Sequence, residues 1–184
     1  TFMLYPQNYE QKVGFHEDRE LIRAACISPM GEKYVEKIRF SNTAEVIEKM
    51  LLQTEEFKNI LMFGETFPAK DYFDLREELD RLRTPGSYIV QEALFDLRSS
   101  LSTINQILVF FKNAPEDEYP ELKKIAGQVT MPLEVIKLAD QIIDDKGMIK
   151  SSASERLSEI RKSLEAKQRQ VIKETRKAFE LAKK

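Results

Sequence analysis

Apolar residues recur at steps of three and four along most of this chain, the spacing of one face of an α-helix. The first twelve residues lack that period and read as an irregular lead-in. Leu21, Ile22, Ala25 and Cys26 then form a stripe that predicts a helix from about Glu17 to Cys26. In "SPMGEKYVEKI", Ser28 is placed to cap the next helix and Pro29 takes its first position, where a missing N–H costs nothing. The clearest period lies in "SNTAEVIEKMLLQTEEFKNILMFG". Asn42 and Glu45 have capping-box spacing, Val46, Ile47, Met50, Leu51, Phe57, Ile60 and Leu61 form the expected buried stripe, and Gly64 is the stop. A loop, "ETFPAKDYF", leads to a short helix from Asp74 to Arg83 that "TPG" ends.

The following helix is expected from Val90 to Lys112, with Ala93, Leu94, Leu97, Leu101, Ile104, Leu108 and Phe111 facing inward. After the proline-bearing loop "NAPEDEYP", shorter helices are predicted at Glu121–Ala126 and Leu133–Ile143. From Ser151 to Lys184 there is neither Gly nor Pro, and a helix of that length would reach about 50 Å. Ala153, Leu157, Ile160 and Leu164 make a coiled-coil seam. It weakens where Lys167 and Glu174 take expected apolar places, and Val171, Ala178 and Leu181 keep it partly alive. The inner half of this helix is expected to pack and the outer half to project. No β-alternation competes, so the fold class is all-α: a helical core over residues 1–150 and a long terminal helix over 151–184.

Composition agrees with a helix-rich globular chain. A third of its 184 residues are charged, and it has six Gly and seven Pro. No apolar run nears the roughly 20 residues that span a bilayer, and the start lacks the features of a signal peptide. Cys26 is the only cysteine, which excludes an internal disulfide and suits a reducing cytoplasm. The net charge of −2 hides an asymmetry. From Ser151 onward ten Lys/Arg face five Asp/Glu, a net of +5, so the preceding part carries −7. A basic terminal helix on an acidic body can face a polyanion or serve as a solvated surface.

Catalytic motifs are scarce. A P-loop needs two glycines and a Lys-Ser/Thr pair, and "GETFPAK" from Gly64 lacks the second glycine and the hydroxyl. His16, the only histidine, excludes triads and two-histidine metal schemes within the chain, and its place at a helix start reads as surface. Cys26 lies on an apolar stripe and reads as a buried, inert thiol. The one stretch that resembles a site is "DQIIDDKGMIKSSASERLSEI". Asp140, Asp144 and Asp145 offer oxygens for Mg²⁺, but neighbouring side chains on a helix diverge by about 100° and Lys146 competes with a cation. The better reading is a joint. The helix ends at the aspartates, Lys146 sits at its negative end, Gly147 supplies a left-handed cap, and Ser151 or Ser152 caps the next helix, Ser152 with Glu155 as a capping box.

Within this joint, Ile143, Asp144, Gly147, Ile149, Ala153, Ser154, Leu157, Ile160 and Arg161 match the I-D-x-x-G-x-[VI] and A-S-x-x-L-x-x-I-R pattern of the MutS family. The match is best with the bacterial second-type paralogues that end in a Smr nuclease domain. "YPQNYEQKVGFHEDRELIRAACISPMGEKYVEKI" resembles that family's opening helices, and "YFDLREELDRLRTPGSYIVQEALFDLRSSL" the segment after them. The resemblance runs from about Leu4 to the end.

It implies the N-terminal core of a longer protein and the first arm of its lever, which runs toward a clamp on nucleic acid. For that longer protein it implies an ATPase using ATP and Mg²⁺, homodimerisation, a Smr endonuclease, and action on branched DNA (recombination suppression) or on stalled ribosomes and their RNA (ribosome rescue). None of the family's catalytic, cofactor or metal residues maps onto this chain, which implies a structural part without activity of its own. Lys162, Lys167, Arg169, Lys173, Arg176 and Lys177 are the candidates for phosphate contact. The alternative is an interaction module whose exposed terminal helix pairs with a partner helix. A helical enzyme is the weakest reading.

Overall fold

The structure, a computed structural model, describes residues 8–64 and 66–183. Among these there are nine α-helices, no strand and one isolated antiparallel bridge between Ile143 and Ile149, so the chain is all-α. The helices are α1 (Tyr9–Lys12), α2 (Phe15–Ala24), α3 (Pro29–Val35), α4 (Ala44–Phe63), α5 (Arg76–Arg81), α6 (Gln91–Asn113), α7 (Pro120–Ala126), α8 (Leu133–Ile142) and α9 (Glu155–Ala182). Residues 1–7 of the expected irregular lead-in lie outside the described residues, and the rest of it is not irregular, because Tyr9–Lys12 closes a helical turn.

Gly14 turns α1 into α2 with a φ of 75°, and Arg19 ties the corner. Its guanidinium donates to Glu10 at 2.9 and 3.1 Å and to the Ile38 carbonyl at 2.8 Å. Ser28 caps α3 as expected, accepting from the Gly31 N–H at 3.2 Å, with Pro29 in the first turn. The stripe expected to bury α2 is bare: Leu21 and Ile22 are exposed, and Cys26 is half-buried with its thiol on the Ile22 carbonyl.

The middle of the fold is α6, which packs on α7 and α8. Ala93, Thr103 and Phe111 are buried there, and the other inward positions read from its period are at least half-buried. Phe57, Phe67, Phe110, Phe111 and Tyr119 gather at its C-terminal end, with edge-on pairs at 5.2–6.4 Å and Phe110 stacked on Tyr119 at 6.3 Å, geometry that aromatic rings favour.

Helix α4 departs most from its reading. Thr43 rather than Asn42 occupies the N-cap, with no side-chain cap bond. Gly64 does end the helix, in extended conformation, because a Cβ there would lie 2.6 Å from the Ile60 carbonyl oxygen. Of the seven stripe residues only Ile60 is buried. The half-buried positions beside it are Gln53, Glu56 and Asn59. Glu56 has a task on this side: its carboxylate accepts the N–H groups of Glu121 and Leu122 at 3.0 and 2.8 Å, capping α7 from outside. The polar side of the helix thus faces α7, and its apolar face is outward.

Candidate nucleic-acid interface

The basic helix is aimed by the joint before it. Helix α8 stops at Ile142, and Ile143, only 1% exposed, is extended. Asp144 then folds the chain back on itself. One of its carboxylate oxygens accepts the N–H groups of Lys146 and Met148, both at 2.9 Å, and these bonds hold its carboxyl below the usual carboxylate range. The Asp144 N–H meets the Met148 carbonyl at 2.9 Å and the Lys150 N–H meets that of Ile142 at 2.8 Å, a short hairpin rather than a helix cap. Gly147 does have a left-handed φ of 75°, but inside this hairpin and not at the end of α8. A Cβ at Gly147 would lie 2.9 Å from the Phe95 ring of α6. The joint reading thus holds in outline, with different bonds.

Two arginines bind the joint to the body. Arg98 of α6 donates to Asp140 at 2.8 Å and to Asp145 at 3.2 Å, and these carboxylates raise its pKa. Arg161 of α9 donates to the Ile149 carbonyl and to the Ser151 hydroxyl, each at 2.9 Å. Lys150 reaches the Asp140 carbonyl. The three aspartates therefore serve a turn and an arginine clamp, and among the described residues no cluster of His, Cys, Asp or Glu is set to hold a metal. Charge alone flagged the aspartates. The partner in Arg98, 42 residues from Asp140, had no local signal.

A single 3₁₀ turn, Ser151–Ala153, precedes α9. The cap is Ser154, not Ser151 or Ser152, its hydroxyl accepting the Leu157 N–H at 3.2 Å. The 28 residues of α9 extend about 42 Å. Leu157, Ser158 and Arg161 are half-buried, and every described residue from Lys162 on is exposed. At about 100° per residue, Lys162, Arg169, Lys173, Arg176 and Lys177 fall within an arc of about 100°. Lys167 lies about 130° from its centre, on the shoulder of the apolar seam of Ile160, Leu164 and Val171. Arg169 is paired with Glu165 at 3.3 Å and Lys177 with Glu174 at 2.9 Å. Among the described residues Lys162, Lys173 and Arg176 have no carboxylate partner. Such a face can follow a phosphate backbone with its ammonium and guanidinium groups while the opposite seam stays available for packing.

The ATP and Mg²⁺ that the resemblance attaches to the longer protein do not fit the residues present. Gly64, the one glycine of the P-loop-like stretch, is used where α4 closes against its own Ile60 carbonyl, not as a phosphate cradle. His16 is a surface residue beside Glu17, at 4.0 Å. Among the described residues no helix is long and apolar enough to cross a membrane.

Over four-fifths of its length the chain is similar to bacterial proteins named Endonuclease MutS2. It is 29% identical over 152 residues to that of Geobacillus sp. (strain WCH70), covering 82% of this chain and 19% of the relative. It is 25% identical over 157 residues to that of Exiguobacterium sibiricum, covering 83% and 20%, and 28% identical over 158 residues to that of Shouchella clausii, covering 84% and 20%. The chain thus spans about a fifth of the length of the curated relatives it matches. No family model matches, and no solved structure matches. These relatives bear out the resemblance to the second-type MutS paralogues.

Proposed function

We propose that this MutS2-family segment is the helical core and first lever arm of a longer nucleic-acid-binding protein, with residues 1–150 as the core and 151–184 as the arm. The observation that carries the proposal is the basic arc on a helix that leaves the body at a fixed joint. Its role is mechanical. The joint sets the direction of α9, and α9 presents phosphate-binding groups at a distance from the core. The relatives' printed name, endonuclease, points to nucleic acid as the partner class. Nuclease action, ATP turnover with Mg²⁺ and homodimerisation belong to parts of the longer protein outside this chain. Branched DNA and structured ribosomal RNA share the phosphate chemistry that this face recognises.

Fluorescence anisotropy with a DNA four-way junction and an RNA stem-loop, over a salt series, tests this. Binding should weaken steeply with salt, since each neutralised phosphate adds roughly 0.7–0.9 to the log–log slope. Lys162→Gln, Lys173→Gln and Arg176→Gln together should weaken binding at least 10-fold and flatten the slope by about 2. Lys167→Gln, off the arc, should change it less than 2-fold. A salt-insensitive complex, or equal loss from Lys167→Gln, refutes the reading.

The exposed seam of α9 favours a second reading, in which this helix pairs with a partner helix. Glu substitutions at Leu164 and Val171 would then abolish partner binding while leaving phosphate binding intact.

A further inference from the structure

A cleft of about 410 Å³ opens where α4 and α6 both end. Phe63 and Gly64 line it from α4, Phe110 and Asn113 from α6, and Glu118 and Tyr119 from the loop that leads to α7. Neither the joint nor the basic arc uses it. Its surroundings favour positive charge. The last carbonyls of a helix have no intrahelical donor, and the C-terminus carries about half a negative charge. Two such ends meet here, and α4 has no basic residue in its last turn to offset its own. Glu116, Asp117 and Glu118 follow at the rim, exposed and without an ion-pair partner among the described residues. The chain already sets one cation on this stretch of backbone: the Lys123 ammonium of α7 donates to the Ala114 carbonyl at 3.0 Å and to that of Pro115. Lys123 itself does not line the cleft.

The rings decide what kind of cation fits. Phe110 and Tyr119 lie nearly parallel, 23° apart with centroids at 6.3 Å, and Phe63 is 78% exposed. Aromatic faces attract organic cations. A metal ion needs several oxygens together, and among the described residues no three of His, Cys, Asp and Glu are so placed. Burial first, then the charge and hydrogen bond of Glu118, push the Tyr119 phenol above its usual pKa, so the carboxylate stands beside that ring. Flat rings next to a carboxylate suit a guanidinium, which stacks through its face and donates from its edge. An ammonium, a point charge, gains less from flat rings.

We infer that this cleft binds an arginine side chain of a partner polypeptide, whose neighbouring basic residues lie against Glu116 and Asp117. The rim is what selects a peptide over a free small cation. Glu116 and Asp117 lie outside the cleft, so further positive groups on the same chain are needed to meet them. Phosphates are repelled here, so the site is separate from the basic arc of α9 and independent of the nucleic-acid reading.

A ¹H–¹⁵N titration of the 184-residue chain with a capped five-residue peptide, one arginine with a lysine on each side, tests this. Amides of Phe63, Asn113 and Glu118 should shift together and saturate with a dissociation constant below about 1 mM at low salt. A peptide with lysine in the centre should bind at least about 3-fold more weakly. N-acetylarginine amide should bind at the same amides, at least about 10-fold more weakly. Phe63→Ala and Glu118→Gln, both at exposed positions, should each weaken the peptide at least about 5-fold, with unchanged helicity by circular dichroism. Glu17→Gln, an exposed carboxylate on α2, should change it less than about 2-fold. No shift at the three amides with about 10 mM peptide overturns the inference. Equal loss from Glu17→Gln overturns it in favour of general attraction to an acidic body. N-acetylarginine amide binding as tightly as the peptide assigns the cleft to a small cation, and equal affinity of the lysine-centred peptide removes the guanidinium. Either of these results overturns the proposal as stated.

Discussion

Helices α4 and α6 are of similar length, 20 and 23 residues, and both carry apolar residues at helical spacing, yet α6 is wrapped by its neighbours and α4 is largely bare. The period of a sequence tells which face of a helix is apolar. It does not tell whether the chain itself supplies the cover. For α6 the cover comes from α7, α8 and the joint hairpin after it and from the segment around Phe67 and Phe73 before it, all in the same chain. For α4 the element packed most closely among the described residues, α7, is held through Glu56 on the polar side, and the apolar stripe is left outside that contact. Seven residues of α7 need that carboxylate to satisfy their first N–H groups, since Tyr119 at the N-cap provides no side-chain bond.

The largest effect should come from setting the two helices against each other directly. Phe111→Ala on α6 removes a ring that is 7% exposed and touches Phe67, Phe110 and Tyr119, and should cost about 3–5 kcal/mol. Leu61→Ala on α4, at the dilution of a monomer, should cost less than about 0.5 kcal/mol. Urea unfolding followed by circular dichroism measures both. Equal costs would mean that α4 is covered in solution by this chain itself.

The next test concerns how α6 receives the joint. Gly147→Ala places a Cβ 2.9 Å from the Phe95 ring at a φ of 75°, so the substitution meets both a clash and a left-handed backbone. About 3 kcal/mol is expected. If the stability of Gly147→Ala matches the parent, the hairpin does not rest on α6, and α9 is not aimed as described.

Local signals made much of this legible. Helices α6, α7 and α8 end within a residue of their expected limits, because proline, glycine and polar loops bound them on both sides. The cap of α3 was readable because Ser28 and Pro29 leave little choice. Where several hydroxyls or amides compete, spacing did not choose: Thr43 displaced Asn42, and Ser154 displaced Ser151 and Ser152. The six basic residues were visible as charge, and the heptad spacing already set Lys167 on the seam, apart from the other five. Arg98 was out of reach, since its partners lie 42 and 47 residues away and charge pairing over that span has no pattern in sequence.

The caps carry a smaller, paired prediction. Ser154→Ala removes the bond to the Leu157 N–H and should destabilise the start of α9 by about 1 kcal/mol. Asn42→Ala should have almost no effect, because α4 begins without its side chain. Amide exchange across each helix start separates them, with faster exchange in the first turn of α9 only.

The smallest effect is a pH dependence confined to the joint. The N–H groups of Met148 and Lys146 favour the ionised form of Asp144, so its pKa is lower in the folded chain than in the unfolded one. A group depressed in this way contributes stability above its unfolded pKa of about 3.9, and that contribution is lost as pH falls through the lower folded value. Asp74, held below the usual carboxylate range by Arg76, acts in the same direction between α3 and α5, so the acid slope of the whole chain mixes the two. Asp144→Asn isolates the joint. Its stability should fall less steeply than the parent's below about pH 4, and exchange at Lys146 and Met148 should lose its acid dependence while amides of α4 behave alike in both proteins. Identical acid slopes in parent and variant would show that the hairpin is held by its backbone bonds and its packing on Phe95, with the carboxylate as a bystander.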